Sequence, residues 1–131
     1  MESTIELIDP RQAYPKPPFK NQQAIASKAT TAKMNPQPDH GEQSYRGSGK
    51  LKGLTALITG GDSGIGRAVA LAYGREGANV VINYHTSAED AKTTVKLVEE
   101  AGTKALAIQG DLCEESFCES LIAEVVDTLT G

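Results

Sequence analysis

The feature that most constrains this chain is a glycine-rich turn, Thr59-Gly60-Gly61-Asp62-Ser63-Gly64-Ile65-Gly66, set between two segments of different periodicity. Ahead of it, Leu54-Thr55-Ala56-Leu57-Ile58-Thr59 is a short, nearly continuous apolar run, the pattern of a strand buried on both faces. Behind it, Ile65 to Arg75 follows a helical pattern, with Ile65, Val69 and Ala72 on one face and Gly77 near its end. The alternation then repeats. Val80-Val81-Ile82-Asn83-Tyr84 predicts a second buried strand, and Ser87 can cap a helix carrying Ala88, Ala91, Val95 and Val98 that ends at Gly102. Ala105-Leu106-Ala107-Ile108 predicts a third strand, and Phe117, Leu121, Val125 and Leu129 recur at four-residue intervals on a third helix. Strand and helix alternating over short connections imply a parallel sheet with right-handed crossovers and helices on both faces.

In such a sheet the strand C-termini and the following helix N-termini face one edge. Unpaired backbone N–H groups and the helix dipole attract anions there, worth ~0.3–1 kcal/mol per charge when exposed. A pyrophosphate reaches that backbone only where side chains are missing. Gly60, Gly64 and Gly66 provide a tight turn, close approach of a ligand and close packing of helix on strand. The hydroxyls of Thr59 and Ser63 stand beside them to fix the loop or bind phosphate. A glycine triplet alone is weak evidence; one that follows a strand and opens a helix within a strand–helix–strand unit is a dinucleotide-binding context. The fold class expected is α/β, a partial Rossmann-type sheet of three β–α units over residues 51–131.

Residues 1–50 have a different composition. All six prolines lie there, at positions 10, 15, 17, 18, 36 and 38, among Lys, Gln, Asn and Ser. Proline removes backbone donors and pushes its predecessor toward extended conformations, so the segment reads as an extended or disordered arm. Tyr14, Phe19 and Tyr45 are the anchors it would use to dock along another subunit. The arm holds seven Lys/Arg against five Asp/Glu, and the remainder six against twelve, so the folded part is acidic. That argues against a nucleic-acid partner, which would call for concentrated positive charge. Cys113 and Cys118 lack the paired spacings of a metal site, and no metal is expected. The N-terminus has no basic start or apolar core of a signal peptide, and no apolar run approaches the ~18 residues of a membrane span. The chain reads as soluble, not membrane-bound, and cytoplasmic, with reduced thiols.

The spacing Gly60-x-x-x-Gly64-x-Gly66 is one residue longer than the usual dinucleotide fingerprint and does not fit the G-x-x-G-x-x-G of sugar-nucleotide epimerases. With Thr59 and Ile65 it resembles the T-G-x-x-x-G-[IL]-G of short-chain dehydrogenases/reductases. The longer stretch through Arg67-Ala68-Val69-Ala70 is similar to one branch of that family, the glucose/ribitol dehydrogenases, general stress oxidoreductases and plant NADPH-dependent aldehyde reductases. Tyr14-Pro15-Lys16-Pro17-Pro18-Phe19 and Pro38-Asp39-His40-Gly41-Glu42 resemble the N-terminal extension of that branch. The resemblance implies an oxidoreductase acting on aldehydes or sugar alcohols. Its cofactor contacts would fall on Gly60, Asp62, Ser63, Gly64, Ile65, Gly66 and Arg67, on Asn83 and Tyr84, and on the adenine-contacting pair Asp111 and Leu112. Asp111 also reads as an ordinary cap for the third helix. Expected partners are a nicotinamide dinucleotide and, in a full-length form, further subunits of a homo-oligomer.

An NAD-binding sheet carries an acid about 20 residues past the glycines, where it accepts a hydrogen bond from the adenosine ribose. Here that position reads Asn83-Tyr84-His85-Thr86, and Arg67 lies just past the loop. NADP(H) is therefore expected over NAD(H). The family's general acid/base is a tyrosine with a lysine four positions later. None of Tyr14, Tyr45, Tyr73 and Tyr84 has Lys at that spacing, and the Asn-Asn-Ala-Gly segment of the family is absent. No catalytic residues are expected in this sequence, which reads as the cofactor-binding part of such an enzyme, stopping before a fourth strand. The alternative is a non-catalytic dinucleotide-binding or interaction protein. Either way the first strand would lack one neighbour, and the fold is expected to be marginally stable, with an unfolding free energy below ~5 kcal/mol.

Overall fold

The structure, a computed structural model, describes residues 9–13, 16–18 and 31–129. Three parallel strands form one sheet in the order β1-β2-β3: β1 is Thr55–Thr59, β2 Asn79–Tyr84 and β3 Ala105–Gln109. Thr55 pairs with Asn79 and Thr59 with Asn83; Val80 pairs with Ala105 and Tyr84 with Gln109. The central strand is the most buried, with Val80, Val81 and Ile82 all at 1% exposure or less. Its alternating side chains supply both faces of the sheet. Val80 and Ile82 join Ile58, Ala70, Leu71, Ala91 and Val98 in one core cluster. Val81 joins Ile108, Leu121 and Val125 in the other.

Among the described residues there are four α-helices, α1 (Pro10–Ala13), α2 (Gly64–Arg75), α3 (Ala88–Glu99) and α4 (Glu115–Leu129), of which the last three pack on the sheet. The first core cluster draws on α2 and α3, and the second on α4, so helices cover both faces of the sheet. β1 stands at the edge of the three-stranded sheet, and of its residues Ile58 alone is buried, with Thr55 to Leu57 partly buried and Thr59 exposed. None of the described helices is long and apolar enough to cross a membrane.

Two sequence expectations about the helices are corrected here. The buried face of α2 is Arg67, Ala70, Leu71 and Gly74, whereas Ile65 is 85% exposed. Ile65 sits in the first turn, at the sheet edge, where nothing lies over it. Gly74 lets α3 come close, since a Cβ there would stand 2.8 Å from Val98 Cγ1. Ser87 occupies the N-cap position of α3, but its side chain makes no capping hydrogen bond. Glu89 and Asp90 in the first turn complement the helix dipole instead.

The proline-rich arm contains more local structure than its composition suggested. Pro10 starts the single turn of α1 at a position where its missing N–H costs nothing. The Asp9 carboxylate accepts the Arg11 backbone N–H at 3.0 Å. Thr31–Lys33 forms one 3₁₀ turn. Tyr45, expected as an anchor for another subunit, is turned onto its own chain, where its hydroxyl donates to Glu76 at 2.6 Å. Tyr14 and Phe19 lie outside the described residues.

Candidate dinucleotide-binding site

The turns after β1, β2 and β3 meet at one edge of the sheet, and main-chain hydrogen bonds lace them together. The Gly61 N–H donates to the Asn83 carbonyl at 3.1 Å, and the Gly110 N–H to that of Tyr84 at 2.9 Å. The first turn is built by glycines with separate reasons to be glycine. Gly60 and Gly64 have φ of +62° and +54°, a region that L side chains rarely adopt, and both face open space. Gly66 has an ordinary φ but no room: a Cβ would lie 2.1 Å from the Gly60 carbonyl oxygen. The helix therefore starts directly against the turn.

Gly61, which the spacing analysis passed over, is equally constrained, because a Cβ there would stand 2.5 Å from Ile82 Cγ2. Ser63 takes the N-cap position in an extended conformation without a side-chain capping bond. Arg67 makes the first helical hydrogen bond, to the Ser63 carbonyl at 3.2 Å. The amides of the preceding residues have no intrahelical acceptor and are left to an incoming anion. A cradle that a Cβ would fill, ringed by unpaired donors, fits a pyrophosphate.

Two predicted contacts are placed otherwise. Arg67, expected among the cofactor contacts and as a partner of an extra phosphate, is buried instead, at 6% exposure. Its Nη2 donates to the Asp62 carbonyl at 2.7 Å and the Asp90 carbonyl at 3.1 Å, and its Nε donates to Thr94 Oγ1 at 2.9 Å. The Asp90 carboxylate lies 3.7 Å away. Asn83 is also buried, at 3% exposure. Its amide donates to the carbonyls of Ile108 and Gly110 at 3.3 and 3.2 Å, so it ties β2 to the end of β3 rather than presenting a polar group at the surface. Tyr84 packs partly buried against the core.

The remaining predicted residues line the edge. Ile65 is exposed above the glycines, and Leu112 is 43% exposed in the turn after β3. Asp111 accepts the Cys113 backbone N–H at 2.9 Å and so closes that turn, while α4 itself begins later, at Glu115. The same hydrogen bond, with help from the Cys113 side chain and the His85 imidazole 3.8 Å away, holds the Asp111 carboxyl below the usual range. Thr94, Asp90 and Gly61 were missed by sequence reasoning. Of these only Gly61 left a signal, as the second glycine of a pair.

A family profile described as short chain dehydrogenase matches residues 54–131, more than half of the chain. The uncharacterized oxidoreductase YhxD of Bacillus subtilis is 56% identical over 99 residues, covering 75% of this chain and 33% of that protein. NADPH-dependent aldehyde reductase 1, chloroplastic, of Arabidopsis thaliana is 40% identical over 100 residues, covering 72% of this chain and 35% of its own. The chain thus spans about a third of the length of the curated relatives it matches. Among solved structures, a short chain dehydrogenase from Burkholderia cenocepacia in complex with NADP superposes with a TM-score of 0.61. It is 38% identical, and the match covers 63% of this chain and 34% of that one. The matched family span opens one residue before β1 and takes in the whole glycine turn, so the chain belongs to the short-chain dehydrogenase family.

Proposed function

We propose that this chain binds NADP(H) and supplies the cofactor-binding part of an oxidoreductase acting on aldehydes or sugar alcohols. The observation that carries the reading is the turn itself, where Gly66 sits against the Gly60 carbonyl and the start of α2 opens onto free space at Gly60 and Gly64. The amides of the turn and of the first residues of α2 would hold the pyrophosphate, and Asp111 with Leu112 would border the adenine. The bound nicotinamide would exchange a hydride with a carbonyl or alcohol. This chain's own residues bind and orient, and none of its tyrosines stands four positions before a lysine to move the accompanying proton.

Preference for the 2′-phosphate rests on the end of β2. Asn83, Tyr84 and His85 put no carboxylate there to repel an added phosphate. Arg67 no longer contributes to that preference, because its guanidinium is committed to Asp62, Asp90 and Thr94. The Arabidopsis relative, an NADPH-dependent aldehyde reductase, and the Burkholderia structure, a complex with NADP, support the same choice. Cys113 and Cys118, both free thiols, suit a reducing compartment, and we assign the cytoplasm.

Calorimetric titration of the purified chain with NADPH and NADH tests the reading. Saturable binding is expected for both, with NADPH about tenfold tighter, the factor carried by ~1.4 kcal/mol. Equal affinities would remove the preference, and no binding of either would remove the reading. NADPH oxidation with an aldehyde panel separates an enzyme from a binding protein, and no turnover by this chain alone is expected.

A further inference from the structure

Thr94 is a hydroxyl with no exposure at all, in the middle of α3 and 32 residues from the turn it touches. Its Oγ1 lies 3.1 Å from the Asp62 carbonyl oxygen and 3.2 Å from that of Asp90, and it accepts the Arg67 Nε–H. The same Asp62 oxygen accepts Arg67 Nη2 at 2.7 Å and Nε at 3.2 Å. One peptide oxygen in the glycine turn is therefore gripped from two helices. We infer that Thr94, acting through Arg67 and the Asp62 carbonyl, is a positioning residue that aims the Ser63 N–H at the bound dinucleotide.

The inference rests on the dinucleotide reading above and follows from peptide geometry. In a planar trans peptide the carbonyl and the next N–H point in opposite directions. Holding the Asp62 oxygen in the α2–α3 interface therefore turns the Ser63 N–H away from that interface. Among the described residues the Ser63 N–H has no partner, so it faces outward unpaired. The turn needs such a hold because Gly61 and Gly64 flank the Asp62–Ser63 pair, and glycine permits backbone rotations that other residues forbid. Turning the peptide over would strand the Asp62 oxygen outside its three contacts and bury a donor among donors. A donor fixed before binding loses no freedom on binding, which is how preorganisation raises affinity.

The test compares Thr94→Val, nearly the same shape without the hydroxyl, with Thr94→Ser, which keeps it. Circular dichroism first establishes that each variant is folded at the titration temperature, and calorimetry then measures NADPH affinity. Thr94→Val is expected to bind about three- to tenfold more weakly, the factor of one ordinary hydrogen bond, with Thr94→Ser within about twofold of the unaltered chain. In the ¹⁵N-labelled chain the Ser63 amide is expected to shift on adding NADPH, and less so in Thr94→Val. Should Thr94→Val fail to fold, Arg67→Lys carries the same expectation, since a single ammonium cannot span both Asp62 and Thr94. Unchanged affinity in a folded Thr94→Val or Arg67→Lys overturns the inference, as does Thr94→Ser binding as weakly as Thr94→Val. No NADPH binding by the unaltered chain overturns the dinucleotide reading and the inference with it.

Discussion

At its N-terminal end α2 meets open space through Gly60, Gly64 and the exposed Ile65, whereas at its C-terminal end the same helix is covered by residues 42–51 of its own chain. Both ends rely on a glycine pressed against a carbonyl. A Cβ on Gly66 would lie 2.1 Å from the Gly60 oxygen, and one on Gly47 would lie 1.7 Å from the Arg75 oxygen. What differs is whether the helix-end backbone groups meet partners from the chain or open space. At the C-terminal end the buried Glu76 carboxylate accepts the Tyr45 hydroxyl at 2.6 Å and the Ser48 and Lys50 amides at 2.9 and 3.0 Å. Arg75 donates to the carbonyls of Tyr45 and Glu42. Close glycine packing thus marks a backbone contact of either kind. Arg75 Nε stays buried without a partner at the covered end, and the candidate binding site is the end where the unpaired donors are backbone N–H groups facing open space.

The largest expected effect that would break this contrast is at Gly66. Gly66→Ala must displace either the turn or the helix, so NADPH affinity is expected to fall on the order of a hundredfold in a calorimetric titration. A stability loss of about 1–3 kcal/mol in urea unfolding should accompany it. Gly47→Ala is expected to cost about 1–2 kcal/mol by the same crowding while leaving NADPH affinity unchanged, because it disturbs only the closed end. If Gly47→Ala weakened NADPH binding as much as Gly66→Ala, the two ends would not be separate. Gly60→Ala isolates conformation from space: nothing would touch the new Cβ, but φ is +62°, and a cost of about 1–2 kcal/mol is expected.

The smallest effect expected is a pH response at the closed end. The Tyr45 hydroxyl, joined by the Lys50 and Ser48 amides, lowers the Glu76 carboxyl from 4.5 to about 2. A carboxyl depressed in the folded state stabilises above its unfolded value and loses that contribution as pH falls toward the folded one. Docking of residues 45–50 should therefore be complete at neutral pH and weaken progressively between pH 4.5 and about 2, as read by amide exchange at Ser48 and Lys50. Glu76→Gln should flatten that profile. A profile the same in both proteins would show that Glu76 does not hold the arm.

The sheet was legible because burial of β2 on both faces demands the unbroken apolar run at Val80, Val81 and Ile82, and because Gly60, Gly64 and Gly66 mark the turn where β1 passes into α2. Ile65 was misread because helical spacing reports which residues share a face, not whether a strand lies opposite that turn. Arg67 and Asn83 were read as ligand contacts because both are polar and near the right place. Their partners are main-chain carbonyls on other elements, Asp62 in the glycine turn and Asp90 in α3 for one, Ile108 at the end of β3 and Gly110 just past it for the other, and no local pattern encodes these. Thr94 was invisible for the same reason, since nothing in the pair Thr93-Thr94 reveals which of the two faces a turn.

The central claim is that one end of α2 is open for a dinucleotide and the other is closed by the chain itself. It is tested most directly by following backbone amide shifts in the ¹⁵N-labelled chain as NADPH is added. The account expects saturable shifts at Ser63, Gly64, Ile65 and Gly66 and in the turn at Asp111 and Leu112, with Ser48 and Lys50 unmoved. Shifts centred on Ser48 and Lys50, or none at Ser63 to Gly66 at saturating NADPH, would contradict it.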